Sequence, residues 1–273
     1  MNISTTKKEL QAAFSKLTKT AQVKSQNPLV NYTYISSGPH GVMLHSTDLE
    51  VGIKTQITAS VNTEGEGLFP TSEVNDIISV IDEGRVDIDI AGPHINIKSE
   101  KGISFDIPTE PFQEYPDMPE NKHEALFTIE TNKLKDIINS LLYAINAEPT
   151  KPALNGAYFN FDQASIDFVA TDGHRLVKIT KQNETNIQKG FIIPKKYLNI
   201  LNTFLEGEKE TSLIFSENHV FSNNGKDVFY SKIIDEKFPN YDAVIPSGNS
   251  EKLTAQKTEM LNNIKAASIA TNK

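Results

Sequence analysis

The seven residues Ala170-Thr171-Asp172-Gly173-His174-Arg175-Leu176 decide how this chain is read, because their Thr171-Asp172 pair occurs 124 residues earlier as Thr47-Asp48. Outward from that pair, the same spacing joins Leu10 to Leu134, Leu17 to Leu141, Pro28 to Pro152, Asn31 to Asn155, Tyr34 to Tyr158 and Pro70 to Pro194. Past Pro194 the spacing widens to 126, where Phe112, Tyr115, Phe127 and Ile138 find Phe238, Tyr241, Leu253 and Ile264. A fixed period of this length marks an array of similar domains rather than an enzyme built around one cleft. The register predicts two whole units, 1–122 and 123–250. A third, 251–273, should hold a first strand and helix and run out at Lys273, too short for a core of its own. A chain shortened early in its third domain is therefore expected.

Composition narrows the class. At 273 residues the length suits about two domains. With no cysteine there is neither a disulfide framework nor thiol chemistry. Met1 to Leu10 is polar, with Lys7, Lys8 and Glu9, so it does not read as a signal peptide. No apolar run is long enough to span a membrane, which makes the cytoplasm the expected compartment. The histidines, His40, His45, His94, His123, His174 and His219, are scattered without ligand spacing, and no metal or cofactor is expected. His174 beside Asp172 has no serine or cysteine in a nucleophile motif to act on, and no phosphate-cradling glycine loop appears. A non-catalytic protein is expected.

Each unit carries the same order of signals. Leu10, Phe14 and Leu17 fall at helical spacing behind Thr6-Lys7-Lys8-Glu9, which fits a capping box, and Leu134, Ile138 and Leu141 repeat the pattern. Strand-like alternation follows in Tyr32–Ile35, Val42–Leu44 and Val51–Ile53, then in Ala157–Phe159 and Asp167–Val169. A second helix should open after Pro70 and after Pro194, and further strands after that, so each domain holds two helices and about eight strands. The proline-rich stretches 108–119 and 237–246 read as extended linkers pinned by their aromatics.

Ala170 to Leu176, preceded by Leu154-Asn155-Gly156 and followed by Phe238-Pro239-Asn240-Tyr241, resembles the middle domain of the bacterial DNA polymerase III beta sliding clamp. Thr47-Asp48-Leu49-Glu50 fits the first domain of the same family. The resemblance covers the whole chain. It implies an α+β architecture of tandem DNA-clamp domains, each with two helices packed on antiparallel sheets, as a crescent segment of a ring around duplex DNA. It also implies a processivity factor that tethers the replicative polymerase without catalysing a reaction.

The resemblance further implies three surfaces. A groove for short peptide motifs of the polymerase catalytic subunit and the clamp loader would be built from Leu154, Thr171, Gly173, His174, Arg175, Leu176, Pro239 and Val244, with Ala243 where a basic residue is common. DNA would be faced by Lys7, Lys8, Lys16, Lys19, Lys24, Lys151, Lys195 and Lys196. A homodimer contact would use Ile77, Ile78, Ile81, Phe105, Ile107 and Ile269. The formal net charge of −8 opposes general nucleic-acid binding, but its distribution does not. Residues 5–24 hold five lysines against Glu9, whereas 71–83 holds Glu73, Asp76, Asp82 and Glu83 with no base. A second reading follows from that acidic helix: a truncated or paralogous clamp-fold interaction module that does not encircle DNA.

Overall fold

A computed structural model describes residues 1–21, 27–38, 41–120, 125–146, 148, 150–205, 209–223 and 225–271. The first repeat runs β1 (Asn2–Thr6), α1 (Lys7–Leu17), a 3-10 turn (Pro28–Asn31), β2 (Tyr32–Gly38), β3 (Gly41–Thr47) and β4 (Val51–Ile57). It continues with β5 (Ser60–Thr63), β6 (Gly65–Pro70), α2 (Thr71–Val80), β7 (Arg85–Ala91), β8 (His94–Ser99) and β9 (Ser104–Pro108). The second runs β10 (Ala125–Glu130), α3 (Thr131–Leu142), a 3-10 turn (Pro152–Leu154), β11 (Gly156–Phe161), β12 (Ser165–Thr171) and β13 (Leu176–Gln182). It ends with β14 (Gly190–Pro194), α4 (Lys195–Phe204), β15 (Glu210–Phe215), β16 (His219–Asn223) and β17 (Asp227–Lys232). The starts of α1 and α3, of α2 and α4, and of the two 3-10 turns are each 124 residues apart, so the period of the sequence is the period of the structure.

Local chemistry sets the helix ends. The Thr6 hydroxyl accepts the Glu9 N–H at 3.2 Å, as a capping box requires. Glu9 does not return the bond. Its carboxylate accepts the Thr58 N–H at 3.0 Å and pairs with Lys226, so only half of the expected box forms. Pro70 and Pro194 stand at the N-cap, where a missing N–H costs nothing. Helix α1 buries Leu10, Ala13, Phe14 and Leu17, and α3 buries Leu134, Ile137, Ile138 and Leu141, each an i, i+3, i+4, i+7 stripe facing one core.

Three antiparallel sheets carry the strands, in the orders β5-β1-β7-β8-β9, β10-β15-β16-β17-β4-β3-β2-β6 and β13-β12-β11-β14. The eight-stranded sheet belongs to both repeats. Strand β17 pairs with β4 from Asp227↔Thr55 to Ser231↔Val51, fusing half of one repeat with half of the next. Because of this joint, Met1–Phe238, which holds both repeats, packs as one compact unit. Side chains lock the ladder. Asp227 accepts the Thr55 hydroxyl at 2.5 Å and also binds Lys16. The Tyr230 ring lies so close to Gly52 that a Cβ there would sit 2.1 Å from it. That joint needs a glycine.

The linker at 108–119 is pinned as expected. Tyr115 is buried, its hydroxyl donates to the Tyr32 carbonyl at 3.0 Å, and its ring stacks on Tyr34 at 5.8 Å. It is not fully extended, since the Tyr115 N–H reaches back to the Phe112 carbonyl at 3.0 Å in a turn. At the equivalent place Phe238 stacks on Tyr158 at 4.8 Å.

Pro239–Lys273 is the second compact unit. It contains a 3-10 turn (Asp242–Val244) and α5 (Lys257–Ala270), which starts 126 residues after α3. Residues 251–256, expected as a strand, have no ladder partner among the described residues and form none. Leu253, Met260, Leu261, Ile264 and Ile269 are all exposed. No described helix is long and apolar enough to cross a membrane.

Most of the isoleucines expected at the subunit contact are buried within this chain. Ile77, Ile78, Ile81 and Ile107 are buried in the core, Ile77 and Ile78 on the inward face of α2, Ile81 just past its end and Ile107 on β9. Phe105 is half-buried against the same core, and Ile103 stands exposed beside it. Strand β9 is nonetheless an edge strand, with a neighbour only in β8 among the described residues.

Candidate partner-binding and nucleic-acid interfaces

The connection from β12 to β13 is the turn Thr171–Arg175. The Thr171 hydroxyl donates to the Arg175 carbonyl at 2.7 Å and accepts the Gly173 N–H at 3.1 Å, closing a loop of five residues. Asp172 Oδ1 accepts the N–H groups of His174 and Arg175 at 2.9 and 3.0 Å, an Asx-type turn. Gly173 has φ of +90°, a conformation that a side chain would strain.

Asp172 Oδ2 accepts Arg175 Nε at 2.8 Å. That guanidinium, then the two backbone N–H groups, hold the Asp172 carboxyl well below the usual carboxylate range. The Arg175 guanidinium lies 5.2 Å above the exposed ring of Tyr143, just past the end of α3.

The turn therefore presents a rigid frame with outward side chains. Gly173, His174 and Arg175 are exposed, Thr171 and Leu176 half-buried, and Leu154 in the neighbouring 3-10 turn is buried. Lys151, expected to face DNA, stands beside this turn, its Nζ 3.8 Å from where a Cβ on Gly173 would be. Pro239 and Val244 belong to the second unit, where Val244 is exposed.

The lysines expected to face DNA divide into two sets. Lys7 Nζ donates to the Ile81 carbonyl at 2.7 Å, holding the end of α2, and Lys195 Nζ donates to the Ile145 carbonyl at 3.0 Å beyond α3. Lys16 pairs with buried Asp227, and Lys196 with buried Asp48, both across the joint between repeats. Those four each have a partner inside the chain, far away in sequence. Lys8, Lys19 and Lys151 are exposed with no ion-pair partner among the described residues, and Lys24 lies outside the described residues. On α2 the exposed face carries Glu73 and Asp76 and no base.

Two family models match the chain: the N-terminal domain of the DNA polymerase III beta subunit over residues 1–119, and the central domain of the same subunit over residues 128–240. The chain belongs to this family. The beta sliding clamp of Treponema pallidum is 27% identical over 264 residues, 94% of this chain and 71% of that protein. The sliding clamp of Bacillus subtilis superposes with a TM-score of 0.93 at 21% identity, over all of this chain and 75% of that one. The Helicobacter pylori beta clamp, solved with a DNA ligase peptide, gives 0.89 at 23%, over 98% and 76%. The clamp architecture thus accounts for the repeat, the paired helices and the shared sheet.

Several residues that matter to this beta-clamp fold carry little or no signal in the sequence. Gly52, Tyr230, Asp227 and Asp48 carry the joint, and Tyr143 carries Arg175. Asp48 stands in the repeated Thr47-Asp48 pair, and that repetition is its mark in the sequence.

Proposed function

We propose that this chain works as a sliding clamp in bacterial DNA replication, a non-catalytic accessory factor of the cytoplasm that encircles duplex DNA and holds the polymerase by a peptide groove. The observation that carries this reading is the joint. A repeat ends in an edge strand, β17, that completes the sheet of its neighbour at β4, and the equivalent edges β9 and β13 each have a neighbour on one side only among the described residues. Head-to-tail contacts of this kind continue into rings when the rotation closes. The groove proposed here is Leu154, Thr171, Gly173, His174, Arg175 and Leu176. The Helicobacter clamp solved with a ligase peptide supports such a role. Lys8, Lys19 and Lys24 are the proposed DNA-facing set, with contacts loose enough to slide. Phe105 on the β9 edge and Ile269 are proposed to meet further clamp domains.

Retention on circular DNA tests it. Loaded by a clamp loader and ATP onto nicked plasmid, the chain should co-elute with the circle and leave when the plasmid is cut. The acidic face of α2 and the four internally used lysines favour a second reading, a clamp-fold interaction module that does not encircle DNA. In that case the circle would never retain the chain.

A further inference from the structure

The sheet face under the linker at 108–119 differs from its copy in the second repeat by two exchanges. In the second repeat Gly190 lets the Tyr158 hydroxyl come within 2.1 Å of where a Cβ would be, and Phe238 closes on the same ring, parallel at 4.8 Å. Lys178 on that face pairs with Asp167 at 3.0 Å. The first repeat carries Glu66 in place of Gly190 and Met43 in place of Asp167, each 124 residues earlier. Phe112 then stands 6.3 Å from Tyr34 with its ring tilted by 52°. A cavity of about 290 Å³ remains between sheet and linker, its apolar walls including Tyr34, Met43, Phe112, Tyr115 and Met118. Charge is divided across it. Lys54 on β4 and Glu66 on β6 start three strand spacings apart, about 14 Å. Burial first, then a hydrogen bond to Glu66 and the charges of Glu66 and Asp117, push the Tyr34 phenol up to about 12, so both carboxylates bear on that end. Glu66 and Asp117 are exposed and make no ion pair among the described residues.

We propose that the cavity under the first linker receives an arginine side chain of a partner polypeptide, its guanidinium lying against Phe112 and paired with Glu66 and Asp117. The walls choose this occupant. Two carboxylates without a cation of their own attract positive charge, while methionines and aromatic rings suit an apolar stem and the flat face of a guanidinium. Lys54 at the far end repels a second cation, so the site takes one charge in one orientation. It lies on the first repeat and does not depend on the groove at 171–176.

Methionine methyl NMR reads the site directly, because two of the four methionines, Met43 and Met118, line the cavity. The peptide Gly-Ser-Arg-Ser-Gly, titrated into the full chain, should shift those two signals and leave Met1 and Met260 in place. With citrulline for arginine, which keeps the shape and removes the charge, half-saturation should need about fivefold more peptide at low salt, the size of one exposed ion pair, and salt should narrow the gap. Glu66→Gln and Asp117→Asn should each shrink the gap and together close it, with the Met1 and Met260 signals reporting that the fold is kept. Still signals from Met43 and Met118 in the unaltered chain overturn the proposal. So does equal half-saturation by the two peptides, or a preference for arginine that survives the double variant.

Discussion

The turns at 47–51 and 171–175 are built alike and used differently. The Thr47 hydroxyl donates to the Val51 carbonyl at 3.0 Å, and Asp48 Oδ1 accepts the N–H groups of Glu50 and Val51 at 2.9 and 2.8 Å, bond for bond the arrangement of the second turn. Where Gly173 adopts positive φ, Leu49 does the same with φ of +76°. The copies part at the second carboxylate oxygen. Asp48 gives it to Lys196, 148 residues away, while Asp172 gives it to Arg175, three residues away. One copy thereby becomes a buried joint and the other an open surface. A local motif sets a backbone shape, and what docks on it sets its task.

Removing the distant partner should break the comparison hardest. Asp48→Ala strands Lys196 and frees two N–H groups, and should cost about 3–5 kcal/mol in denaturant unfolding, because one side of that pair is buried. The matching Arg175→Met, at an exposed pair, should leave the unfolding midpoint close to that of the unaltered chain. Similar losses in the two variants would mean that the joint is not held as described.

Acid should weaken the joint through His45, which lies 2.7 Å from the Tyr230 hydroxyl across it. Burial, and then the charge of Lys54, push His45 down to about 4 from 6.5. The unfolded chain takes up this proton from about pH 6.5, the folded one only near pH 4. Stability present above 6.5 is therefore lost as pH falls through that window, on the order of 3 kcal/mol at most. Melting curves at pH 7.5 and 5 should separate for the unaltered chain and draw together in His45→Gln.

Backbone strain should give the smallest effects and the sharpest contrast of sign. Leu49→Gly should stabilise by about 0.5 kcal/mol, since it relieves a leucine at positive φ, whereas Gly173→Leu should destabilise by about 1–2 kcal/mol. If both changes destabilise, Leu49 contributes through contacts rather than merely tolerating strain.

Much of the fold was legible because helices and turns obey local rules. Leu10, Phe14 and Leu17 announce α1, and a residue-for-residue shift of 124 announces α3. The lysines were not legible in the same way. Lys7, Lys16, Lys195 and Lys196 read as a DNA-facing set because a net-positive helix says nothing about a carbonyl 74 residues off or a carboxylate 211 residues off. Ile77, Ile78 and Ile81 read as an interface because hydrophobic periodicity shows which face of a helix is apolar, not whether that face covers its own core.

By itself the amino-acid order determined the period, the helices of the two whole repeats, the duplicated Thr-Asp turn and the family. The tertiary structure alone decided that β17 completes the sheet of β4, that Gly52 makes room for Tyr230, and that Lys151 stands beside Gly173. The physical reason is range. Helix caps and Asx turns are closed by neighbours within about five residues, whereas edge pairing and buried ion pairs join groups that only the folded chain brings together.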